Sequence, residues 1–194
     1  MKTLGKLSPE YCVQYYNSWP EDKHLYIQME FCSQNLRNIV EVKPQVFGRQ
    51  LGEAMDCVEY FISCQIYREI LESVQYLHSK GIIHRDINMG NILVAKNIMN
   101  GRFVKLCDFG LATVHDKHIH YRTTQKHTSD VGHLSYAAPE VLQGLKYNHK
   151  SDVYSLGRIG CELFDFDLSD YDSQKGSKYF RNIISHDLNL IFSN

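Results

Sequence analysis

The feature that most constrains the fold is a change of period at Gly81. From Cys57 to Ser79 the apolar residues Val58, Phe61, Ile62, Ile66, Ile70, Val74 and Leu77 recur at steps of three and four, which predicts an amphipathic helix stopped by Gly81. Directly beyond it the pattern shortens. NILVAK and FVKLCDF are strand-like runs separated by NIMNGR, whose Asn100-Gly101 pair signals a tight hairpin. HRDINMGN, at 84–91, lies just before this hairpin, and DFG, at 108–110, follows it. Two polar clusters are thereby held at the ends of one small rigid unit, where side chains distant in the chain can converge.

The flanking segments predict a mixed α+β domain. CVQYYNSW (12–19) and HLYIQMEFC (24–32) are aromatic and β-branched, and PEDK between them reads as a turn joining two strands. Residues 33–42 suit a short helix, and KPQVFGRQLGEAM, with its Pro and Gly, suits a loop. SYAAPEVLQG predicts a short helix ended by Gly144. Asp152 to Phe166 predicts a helix apolar on nearly all sides, hence buried, with Ser151 as its N-cap. Phe180, Ile183, Ile184, Leu188 and Ile191 would share one face of a last amphipathic segment.

Composition narrows the class. The 194 residues are enough for one domain with a real core, and 43% hydrophobic against 22% charged residues is a globular balance. Net charge is -1, and the Lys and Arg residues form no run able to neutralise several phosphates, so no direct nucleic-acid or anionic-membrane partner is expected. No apolar run approaches the roughly 20 residues of a membrane helix, and MKTLGKLSPE lacks a signal-peptide h-region; a cytoplasmic location is expected. The six cysteines, Cys12, Cys32, Cys57, Cys64, Cys107 and Cys161, show no C-x-x-C spacing and read as buried thiols in a reducing compartment. His115, His118, His120, His127 and His133 fall in one polar, aperiodic stretch, 111–134. No Cys or carboxylate spacing completes a metal set there, so a polar loop is the expectation.

Asp86, Asn91 and Asp108 are three hard-oxygen groups on short loops, the donor type that suits Mg²⁺ with bound phosphates. Any one alone would be an ordinary turn former. Their order is what matters. HRD with an Asn five residues on, DFG 22 residues after Asp86, APE at 138–140 and DVYSLG at 152–157 together resemble the protein kinase signature series, over nearly the whole chain. The resemblance implies a protein-kinase-like fold: residues 1–32 would be a remnant of the small-lobe β-sheet, its last two strands and hinge. Residues 33–194 would be the mainly helical large lobe, truncated after the helix that follows the activation segment and the central buried helix. It implies ATP and Mg²⁺ as cofactors, Asp86 as the catalytic aspartate, and Asn91 and Asp108 as holders of Mg²⁺ on the phosphates. Met29 would be the gatekeeper of an adenine pocket, the backbone of Glu30 and Cys32 its hinge, and Leu93 the residue under the base. His84, Phe109 and Asp152 look like members of the stacked regulatory spine.

Within that family the chain is similar to the kinases of the alpha subunit of translation initiation factor 2. The likeness rests on VQYYNSW followed by LYIQMEFC, on HTSDVG before APE, and on HKSDVYSLG. It implies that this subunit is the protein substrate, in translational stress control, and that Thr128 is an activating phosphosite paired with Arg85.

The chain also departs from the pattern. Where the family carries a lysine two residues after the catalytic aspartate, this sequence has Asn88, and where a threonine usually follows the glycine before APE it has His133. Those two side chains meet at the catalytic aspartate in the family. No glycine-rich loop, strand lysine or helix glutamate precedes VQYYNSW, and the later helix whose arginine usually pairs with Glu140 in the family is not expected within this chain. Weak or absent activity of this chain alone is therefore expected. The alternative to an enzyme is a non-catalytic kinase mimic that docks on, or dimerises with, a full kinase or binds its substrate.

Overall fold

The computed structural model describes residues 6–50, 53–109, 113–114, 135–145 and 148–166. Thr128, His133, the five clustered histidines and the segment 180–191 lie outside the described residues. The architecture is mixed α+β. Strands β1 (Tyr15–Glu21) and β2 (His24–Met29) form a two-stranded antiparallel sheet whose turn has narrowed to Asp22-Lys23, with Pro20 and Glu21 inside the strand and Asp22 at φ 52°.

After β3 (Gln34–Asn35), helix α1 runs over Leu36–Val46. Asn35 Oδ1 accepts from the Asn38 amide at 3.0 Å, and Asn38 Oδ1 accepts from the Asn35 amide at 3.2 Å, closing a reciprocal cap. The segment expected to be a loop from Lys43 is helical through Val46. Pro44 is accommodated within α1, only two residues before its end. Lys43 is drawn inward, and its ammonium donates to the Leu163 carbonyl at 2.6 Å.

Helix α2 spans Cys57–Ser79, as the periodicity predicts, with Asp56 capping the Glu59 amide at 2.7 Å. Its buried face is only partly the predicted one. Ile66, Ile70, Val74 and Leu77 enter the core, but Val58, Phe61 and Ile62 are 55%, 69% and 38% exposed, while Glu59 and Ser63 are buried instead. The reason is electrostatic. Glu59 takes Arg49 on both carboxylate oxygens at 2.6 Å and Lys43 at 3.3 Å, so the inward stripe of the first turns holds an ion cluster rather than hydrocarbon.

Strand β4 (Ile82–Ile83) leads through a short 3-10 turn, Met89–Asn91, into the hairpin of β5 (Ile92–Met99) and β6 (Arg102–Leu106). Asn100 and Gly101 have φ 52° and 76°, the doubly positive conformation of the turn that Asn-Gly favours. The sheet order is β3-β5-β6, and residues 11–13 join its far side, Val13 donating to the Leu106 carbonyl at 2.9 Å. β4 pairs with β7 (Thr113–Val114). Two further helices follow, α3 (Pro139–Leu142), ended by Gly144 at φ 65°, and α4 (Lys150–Leu163). The position before α4 is His149, not Ser151. Ser151 lies inside the first turn, its hydroxyl donating to the Asn148 carbonyl at 2.8 Å.

One core cluster joins α2, the β5–β6 hairpin and α4. Ile70, Val74 and Leu77 of α2 share a cluster with Ile87, Met89, Ile92, Val104 and Leu106 and with Leu156, Ile159 and Leu163 of α4. Burying such side chains contributes about 1.5–3 kcal/mol each relative to exposure. HRDINMGN is thus anchored from beneath by Ile87 and Met89, leaving its polar members to meet one another. Of the six cysteines, Cys12 and Cys161 are buried, Cys32, Cys64 and Cys107 are half-buried, and Cys57 is exposed, against the expectation of burial for all.

Candidate active site

Asn88 and Asn91 gather Asp86 between them. The Asn88 carboxamide oxygen accepts from the amides of Gly90 at 2.9 Å and Asn91 at 3.3 Å, which holds the 3-10 turn. Its NH₂ group donates to Asp86 Oδ1 at 3.1 Å and to the Asp86 carbonyl at 3.2 Å. Asn91 Nδ2 donates to Asp86 Oδ2 at 3.0 Å and to the same carbonyl at 2.9 Å. Both oxygens of the Asp86 carboxylate therefore take an amide hydrogen bond. With its NH₂ committed in this way, Asn91 has its Oδ1 left as the group for a cation.

Asp108 is brought to the same place by the sheet. The Cys107 amide donates to the Asn91 carbonyl at 2.9 Å, so the hairpin register puts Asp108 one residue from that bond. Asp108 is exposed and its backbone is left-handed, φ 58°. The Cys107 thiol reports the same convergence. It is pushed up to about 12 by burial first and then by Asp108, Cys32 and Asp86, groups from three separate segments.

Asp152 fixes the loop from below. This fully buried carboxylate accepts from the amides of His84 at 3.0 Å and Arg85 at 2.8 Å, and it meets His78 Nε2 at 2.8 Å. Arg85 sits at φ 70°, a conformation costly for a residue with a Cβ, and the two amide bonds to Asp152 hold it there. The His84 ring bonds the Cys107 carbonyl through Nε2 at 2.9 Å and lies 5.1 Å from the Phe109 ring. His84 thus meets Phe109 through its ring and Asp152 through its backbone amide.

The residues expected around a base lie at the base of the β1–β2 hairpin. Met29 ends β2 with about half its surface exposed, Glu30 and Cys32 are half-buried, and half-buried Leu93 pairs across the hairpin with Lys105. Burial raises the Cys32 thiol, Glu30 adds to that and Lys105 opposes it. The sequence reading missed Lys105 itself. Its ammonium is 3% exposed and meets both Glu30 carboxylate oxygens, at 2.8 and 2.7 Å. A lysine set between Val104 and Leu106 is the local signal for it.

The donor set fits a nucleotide phosphate with Mg²⁺. An amide oxygen and a carboxylate on adjacent backbone, Asn91 and Asp108, are hard ligands of the kind this ion takes when phosphates supply the remainder. Among the described residues no group of three or more His, Cys, Asp or Glu gathers into a metal site of another type.

The sequence matches the protein kinase domain over residues 1–192, and the chain belongs to the protein kinase family. Among curated proteins it is 35% identical over 148 residues to eukaryotic translation initiation factor 2-alpha kinase 3 of Rattus norvegicus, covering 72% of this chain and 12% of that protein. It is 37% identical over 151 residues to eIF-2-alpha kinase GCN2 of Schizosaccharomyces pombe, covering 72% of this chain and 8% of that protein. The chain therefore spans only a small part of the length of these relatives. A chain in the crystal structure of the yeast RNA Pol II CTD kinase CTDK-1 complex superposes with TM-score 0.63 at 23% identity, over 84% of this chain and 48% of that one, which shows the shared kinase fold.

Proposed function

We propose that this chain is a serine/threonine protein kinase-like domain that holds Mg-ATP and passes its γ-phosphate to a protein hydroxyl, slowly. Residues 1–32 act as part of the small lobe and 33–194 as large lobe. When bound, Mg-ATP supplies the activated phosphoryl group and the charge that Asn91 Oδ1 and the Asp108 carboxylate hold. Asp86 orients the substrate hydroxyl and accepts its proton. The backbone of Glu30 and Cys32, beside Met29, holds the base over Leu93. Arg85 pairs with Thr128 once that threonine carries phosphate. The observation that carries the reading is the double grip of Asn91 on Asp86, which ties the proton acceptor to a metal-binding amide.

The alpha subunit of translation initiation factor 2 is the proposed substrate, supported by likeness to kinases named for it, and the proposed location is the cytoplasm. The test is transfer of label from γ-³²P ATP to that subunit and, in parallel, to casein. Labelling of the subunit at least tenfold above casein, lost in Asp86→Ala, is expected. Casein labelled equally well would refute the substrate, and no labelling of either would refute transfer.

One observation favours a second reading. Asn88 puts a neutral amide against Asp86 where the family's lysine contributes a positive charge. A chain of this kind could serve as a mimic, docking on a full kinase or sequestering its substrate without transferring phosphate.

A further inference from the structure

The β1–β2 hairpin meets the body of the molecule at its base. Its strands continue into residues 11–13, paired with Leu106, and into β3, paired with β5. Between those two attachments Glu30 accepts Lys105 on both carboxylate oxygens, at 2.8 and 2.7 Å. The same carboxylate accepts the Gln14 amide at 3.2 Å, and the Glu30 amide donates to the Gln14 carbonyl at 2.8 Å. One lysine on β6 thus grips both strand ends. Lys105 is also the cross-strand partner of Leu93, so the two side chains share one face of the sheet. In the nucleotide reading above, the position of residues 30–32 relative to Leu93 sets the space left for the base.

We infer that Lys105 is a positioning residue for the purine base: through Glu30 it fixes the gap between the 30–32 backbone and Leu93, and so governs affinity for the base but not for the phosphates. The inference rests on the nucleotide reading above and deepens it. A charged pair with both partners largely out of water is held tightly in geometry, because neither ion has bulk water as an alternative. Replacing the ammonium frees the Glu30 segment to shift, and shifts of the order of 1 Å at a binding contact carry effects of tenfold or more.

The experiment compares Mg-ATP with Mg-tripolyphosphate, which has no base, by titration calorimetry on wild type, Lys105→Met, Lys105→Arg and the double variant Lys105→Met/Glu30→Gln. Lys105→Met should weaken Mg-ATP about tenfold while leaving Mg-tripolyphosphate within about twofold. Lys105→Arg, which keeps the ion pair, should recover most of the loss. The double variant leaves no orphaned carboxylate, and stands in should Lys105→Met not fold. Equal loss for both probes, or unchanged Mg-ATP affinity in the folded variants, overturns the role of Lys105. Wild type that binds neither probe overturns the nucleotide reading and the base-positioning role together, a result distinct from either of those.

Discussion

Replacing Asn88 with lysine should raise the rate of phosphoryl transfer on the order of a hundredfold. Asn88 donates one neutral hydrogen bond to Asp86 Oδ1, whereas a lysine there places a full positive charge beside the reacting centre. Single groups that stabilise transition-state charge are worth about 10²–10³ in rate. The substitution also has a structural cost. The Asn88 oxygen caps the amides of Gly90 and Asn91, and losing such a cap costs about 1 kcal/mol, so the variant should melt slightly lower while transferring faster. Initial rates of label transfer at saturating ATP, with Asp86→Ala added as a second substitution, check this. A folded Asn88→Lys chain no faster than wild type would show that Asn88 is not what limits transfer.

The second large effect concerns stability. Glu59→Gln should destabilise the fold by about 3 kcal/mol near neutral pH, because Lys43 and Arg49 would keep their charges with only the partly exposed Asp165, paired with Arg49, to balance them. Glu59 is fully buried, and Arg49, foremost, holds its carboxyl below the usual carboxylate range; burial works against this and Lys43 adds to it. A carboxyl whose value is depressed by folding contributes stability above its unfolded value, about 4.3, and loses it as pH falls towards the folded one. The gap between wild type and Glu59→Gln should therefore be full at pH 7 and narrow progressively below about pH 4. Urea melts across that range measure it. A gap that does not change with pH would assign the loss to packing alone.

These two sites differ in how readable they are. HRDINMGN and DFG are contiguous words, and the Asn-Gly turn that brings them together is local chemistry, so the convergence of Asp86, Asn91 and Asp108 on one hairpin could be anticipated from residue order. The Glu59 cluster could not. Periodicity assigned Val58, Phe61 and Ile62 to the core because it weighs hydrocarbon alone, whereas the inward stripe was taken by Glu59, fixed by cations from residues 43 and 49. Pro44 reads as a loop signal, yet it lies inside α1, two residues before the helix ends. Ser151 looks like an N-cap by type, but the turn beginning at Asn148 places it two positions past the cap, inside α4. The Lys105–Glu30 clamp joins residues 75 apart, and a pair of that kind leaves no trace in any local pattern.

Binding of ATP measured by calorimetry with and without Mg²⁺, on wild type, Asn91→Ala and Asp108→Ala, tests most directly whether these oxygens form a magnesium-nucleotide site. The wild type should bind only weakly when the metal is chelated, and each variant should lose at least about tenfold in affinity with Mg²⁺ present while binding metal-free ATP as the wild type does. Affinity that ignores magnesium, or that survives both substitutions, would contradict the assignment of Asn91 and Asp108 to the metal.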